Sequence, residues 1–76
     1  MHIRHMQWIA EVDEFAARRG DVRVRIIVSQ MISATDKGGL KHGPPIYATA
    51  EGLKLERLDT RHFRLVATGE VFERIG

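Results

Sequence analysis

The chain has 76 residues, 43% hydrophobic and 29% charged, with no cysteine and a formal net charge of +2. A length and composition of this kind suit one small domain spanning 1–76, and they exclude a multidomain enzyme, a disordered chain and a disulfide-stapled miniprotein. At 8.7 kDa a compact monomer would expose roughly 4,700 Å² and bury only about 60% of its unfolded surface, so the expected core is thin.

Residues 6–19, MQWIAEVDEFAARR, read as an amphipathic helix. At 100° per residue, Trp8, Ile9, Val12, Phe15 and Ala16 share an arc of about 120°. Glu14 and Arg18 have the favourable i,i+4 order, and Gly20 suits a helix stop because it tolerates the left-handed conformation. Met6, Trp8, Ala10 and Val12 also alternate, which is a strand pattern over 6–12, but the helical reading accounts for the longer stretch. Upstream, His2 and His5 form an H-x-x-H pair. Two imidazoles fall short of the three or four ligands of a stable transition-metal site, so no metal and no cofactor is expected.

Residues 22–33 read as a strand. Val22, Val24, Ile26 and Val28 alternate with Arg23, Arg25, Ile27 and Ser29, giving one apolar and one basic face. Residues 35–45, TDKGGLKHGPP, break this pattern with three Gly and two Pro, and are expected to form a flexible loop. From Ile46 onward the chain reads as four short strands at 46–50, 53–58, 62–67 and 71–75. Asp59 suits the first position of a type I turn, and Gly69-Glu70 fits a two-residue type II′ hairpin. An internal echo, G-x-x-[LF]-E-R-[LI], occurs at Gly52–Leu58 and Gly69–Ile75. Two similar hairpins in one meander are the simple explanation. The sharper one is a pseudo-symmetric pair presenting Glu56-Arg57 and Glu73-Arg74 alike.

A helix followed by a run of strands predicts an α+β fold: one N-terminal helix on one face of a four- to five-stranded antiparallel sheet. The charge surplus lies in 21–45, where Arg23, Arg25, Lys37 and Lys41 oppose only Asp21 and Asp36.

Three functions compete. The leading expectation is a small non-enzymatic interaction module that self-associates as a homodimer, or binds another protein, through apolar outer-face residues Ile27, Met31 and Val66 and the edge strand at 71–75. A second is a weak nucleic-acid binder using Arg23, Arg25, Lys37, Lys41 and Arg64, with Tyr47 stacking. A third is a small-anion site in which Lys37, Gly38, Gly39, Lys41 and His42 cradle a phosphate-like group. Catalysis is not expected: Ser29, Ser33, Thr35 and Asp36 lie near His42 in sequence, but no nucleophile-elbow pattern is present. The longest apolar run, Ile26–Val28, is far short of the roughly 18 residues that span a bilayer. No apolar signal segment opens the chain, so the cytoplasm is the expected compartment.

Overall fold

The computed structural model describes residues 6–76. His2 and His5 lie outside the described residues. Seven strands follow one another: β1 (Met6–Arg19), β2 (Val22–Ala34), β3 (Leu40–His42), β4 (Ile46–Thr49), β5 (Lys54–Arg57), β6 (His62–Leu65) and β7 (Val71–Arg74). Six of them close in the order β1-β7-β6-β5-β4-β2, with β2 returning to β1, and β3 attaches to the outer end of β2. The described residues contain no helix, so the architecture is an all-β antiparallel barrel and the α+β expectation is overturned.

The correction falls on residues 6–19, and a β-bulge explains it. Glu11 pairs with Ser29 but Asp13 pairs with Val28, leaving Val12 as an extra residue. Before the bulge, Met6, Trp8 and Ala10 lie on the same face as Ile32 and Gln30; after it, Asp13, Phe15 and Ala17 take that face. One inserted residue shifts a period-2 pattern by one place. The spacing from Trp8 through Val12 to Phe15 then becomes 4 and 3, the helical interval. The helix-favouring residues Ala10, Glu11, Ala16 and Ala17 are overridden by a 13-residue partner, β2, because strand preference follows pairing and burial more than intrinsic propensity. Glu14 and Arg18 consequently pair across strands rather than with each other, Glu14 with Arg25 at 3.3 Å and Arg18 with Glu73 at 3.1 Å.

Gly20 has the expected positive φ, 59°, in a different role. Arg19 pairs with Val22, so Gly20-Asp21 is a two-residue turn with positive φ only at its first central position. This is the type II′ turn whose twist suits a hairpin. The expected flexible loop at 35–45 contains β3, whose Leu40, Lys41 and His42 pair with Ala34, Ser33 and Ile32. A tight turn remains at 35–39, where the Thr35 carbonyl accepts the Gly38 N–H at 3.0 Å and the Thr35 N–H donates to the Gly39 carbonyl at 3.0 Å. The same arrangement joins β4 to β5, with Thr49 and Gly52 in the matching places.

The four C-terminal strands stand where alternation placed them. One turn differs in detail. Leu65 and Glu70 close a four-residue turn over Val66–Gly69, with the Gly69 N–H donating to the Leu65 carbonyl at 2.7 Å, so Gly69 ends a longer turn instead of opening a short one. Asp59 accepts from the Arg61 and His62 N–H groups, each at 2.8 Å, and from the His62 ring at 2.9 Å. These bonds, that from Arg61 first, hold its carboxyl below the ordinary value of 3.8. A depressed carboxyl stabilises the folded state fully above its unfolded value, and the contribution disappears as pH falls through the folded value. We expect the Asp59 carboxyl resonance to titrate below pH 3.8, with faster exchange of the Arg61 and His62 amides there; a midpoint at or above 3.8 would contradict the turn geometry.

Inside the barrel, Ala17, Ile26, Leu55, Phe63, Leu65 and Phe72 form the buried core, with Phe15, Val24 and Tyr47 packed against it. Phe63 is its hub: its ring centroid lies 5.0 Å from Phe15 and 5.0 Å from Tyr47, tilted in both cases. Six strands leave an interior that side chains can fill.

Candidate functional site

The barrel uses only the turn-proximal half of the β1–β2 hairpin. β4 pairs with β2 from Ile26 to Ser29, and β7 pairs with β1 at Ala17 and Arg18. Beyond these, Met6–Glu11 and Ser29–Ala34 continue as a ribbon, joined by β3, and form a three-stranded arm. The molecule measures 56 × 25 × 21 Å, and its radius of gyration is 15.4 Å. A compact chain of this length would have a radius near ~11 Å. The surface is 5806 Å², roughly 1,100 Å² above the scaling for a compact monomer.

The arm exposes several apolar side chains. Met6 is 67% exposed, Trp8 41% and Ile9 61%, with Leu40 also exposed across the arm. Residue pairing sets the faces: Met6, Trp8, Ile32, Ala34 and Leu40 share one, while Ile9 and Met31 share the other. Both faces therefore carry apolar groups.

The arm also has two strand edges, and they differ. The β3 edge carries Lys41 and is followed by Pro44-Pro45, two devices that discourage strand addition. The β1 edge over Met6–Ala10, MQWIA, has no charge and no proline. Among the described residues no strand lies beside it on the side away from β2. Farther along the same strand, β7 covers this edge at Ala17 and Arg18. Sequence reading missed this edge because it assigned 6–19 to a helix. The alternation of Met6, Trp8 and Ala10 was the signal that located it.

The residues expected to self-associate are dispersed. Ile27 is half-buried on the outer barrel wall beside Glu14 and Ala48, and Met31 is half-buried on the arm. Val66 is exposed in the β6–β7 turn, beside an open depression of about 520 Å³ that Pro45, Ile46 and Lys54 also line. The edge strand expected at 71–75 is covered on both sides, β7 lying between β6 and β1.

The expected nucleic-acid and anion residues are dispersed as well. Arg64 pairs with Glu56 at 2.8 Å and Arg25 with Glu14 at 3.3 Å. Arg23 sits by the hairpin tip, whereas Lys41 pairs with Ser33 at the far end of β2. At strand rise the two are roughly 33 Å apart along the strand. Tyr47 packs on Phe63 instead of standing free for a base. In the loop, Lys37, Gly38 and Gly39 belong to the tight turn, and His42 lies exposed on β3 opposite Ile32. The Gly38 N–H donates to Thr35 and the Gly43 N–H to Met31, so neither points at a ligand.

Among the described residues no three His, Cys, Asp or Glu side chains gather as a metal site. No helix among the described residues is long and apolar enough to cross a membrane. Comparisons with protein-family models, with curated proteins and with solved structures found no match to the chain.

Proposed function

We propose that this protein is a small non-enzymatic interaction module that self-associates through the β1 edge of its arm. The uncharged, apolar edge Met6–Ala10 carries the reading. A second copy fits it for a geometric reason. Antiparallel pairing of one strand edge with itself about a two-fold axis is self-complementary, each residue i meeting j and j meeting i. Such pairing extends the arm from three strands to six, and brings Trp8 and Ile9 of each copy against the other. The surplus surface, roughly 1,100 Å² above the compact-monomer scaling, is comparable with the roughly 800 Å² per partner of a stable interface.

Sedimentation at micromolar concentration should give a dimer. Ile9 lies outside the barrel core and is mostly exposed, so Ile9→Lys should leave the barrel folded. Loss of its burial at two symmetric positions is expected to cost about 3 kcal/mol, roughly a hundredfold in Kd. A monomer at high micromolar concentration would sink the proposal, as would a dimer unchanged by both Ile9→Lys and Trp8→Lys. The nucleic-acid alternative has less support, since two of its arginines are ion-paired and its aromatic residue packs on the core.

A further inference from the structure

The sequence echo has a structural counterpart at the end of the barrel nearer the arm. In both copies the glutamate faces outward and is ion-paired, Glu56 to Arg64 and Glu73 to Arg18. The arginine beside it lies on the inner face. Arg57 pairs in register with Phe63 on β6, and Arg74 pairs with Ala17 on β1. Arg57 and Arg74 therefore flank the hub phenylalanine from two directions, and both line a cavity of about 220 Å³. All six barrel strands contribute to it, with Asp13, Phe15, Tyr47 and Phe63 among the other walls.

Neither arginine has a carboxylate within ion-pair distance among the described residues. Arg74 instead lies over the Phe15 ring, 4.4 Å from its centroid. Asp13 shares the cavity, and one of its oxygens already accepts the Glu14 N–H at 2.8 Å. Two cations and one anion leave the mouth with a surplus of one positive charge beside three aromatic rings. Barrel mouths are common ligand sites, and guanidinium groups match a carboxylate in planarity and donor spacing.

We propose that this mouth binds a small organic monocarboxylate, with Arg57 and Arg74 holding the carboxylate and Phe15, Tyr47 and Phe63 contacting an apolar body. A cavity of about 220 Å³ limits the ligand to the size of benzoate or a short-chain acid. The site is separate from the arm edge, so ligand binding and self-association test independently.

Benzoate is the probe, and amide chemical shifts of the full chain are the readout. At millimolar benzoate, shifts should concentrate at Arg57, Phe63 and Arg74 and leave Trp8 unmoved. Arg57 is exposed at the rim, so Arg57→Gln should fold normally and weaken binding about tenfold, the scale of one charge-assisted contact. Asp13→Asn removes the competing negative charge and should tighten binding several-fold. Three results would overturn the proposal: no localised shifts with benzoate, equal shifts with neutral benzamide, or affinity unchanged by both variants. Shifts from inorganic phosphate without any from benzoate would overturn the carboxylate assignment.

Discussion

Phe63→Ala is expected to remove about 3–5 kcal/mol of stability, the usual cost of truncating a buried phenylalanine. Phe63 is 2% exposed, and its ring packs against those of Phe15 and Tyr47. Its ladder partners, Arg57 and Phe72, lie on β5 and β7, and these strands are held by short ladders that cannot collapse inward without breaking the ring of pairs. The gap would therefore stay largely unfilled. A domain of this size has a total stability of roughly 4–11 kcal/mol, so the variant should be partly unfolded at room temperature. Urea denaturation followed by circular dichroism measures the loss. Val66→Ala, at an exposed turn position, is the control and should fall within about 0.5 kcal/mol of the parent. A loss below about 1 kcal/mol for Phe63→Ala would show that Phe63 is not the hub.

The second large effect is expected at Ala17, where the barrel closes. Ala17 is 0% exposed, and it forms one of only two registered pairs between β1 and β7. Its methyl group faces the interior opposite Arg74 on one side and Val24 on the other. A larger side chain has no space there, and a seam of two registered pairs, as short as that between β4 and β5, resists opening weakly. Ala17→Leu is expected to cost about 1–3 kcal/mol through overpacking. The damage should also be local. The Ile75 N–H donates to the Ala16 carbonyl at 2.9 Å across this seam, so its exchange should accelerate more than that of amides in β5. Uniform acceleration across all strands would show that the closure is not the weak point.

The two variants differ in what the sequence disclosed about them. Phe63 lies in a run, His62–Leu65, where alternation and turn residues identify the strand. Ala17 lies in β1, where the same method failed. The inserted Val12 turned a two-residue period into a helical interval, and pattern reading sees spacing but not which residue has been looped out of a ladder. Gly20-Asp21 was a legible hairpin turn, yet once 6–19 was taken as helical the glycine became a helix stop. The arm followed the same error, because its edge exists only if Met6–Ala10 is a strand. The candidate contacts Ile27, Met31 and Val66 were rightly placed off the core, but they do not form one patch. The echo was legible, and its explanation was not: Arg57 and Arg74 are 17 positions apart, and they share a cavity because β5 and β7 flank β6 and barrel closure walls it with Asp13, Phe15 and Val28.

By itself the sequence determined local matters. It set the alternation of β2, the positions of the four C-terminal strands, the turn at Asp59 and the absence of any disulfide. These depend on contacts within a few residues, where side-chain period and backbone preference decide. The tertiary structure alone decided that β1 is a strand, that the sheet closes, that half of the first hairpin projects as an arm, and that two arginines share a mouth with three aromatic rings. Those outcomes rest on pairing between residues distant in the chain. There the free energy comes from which surfaces meet, a property that no local window of this sequence contains.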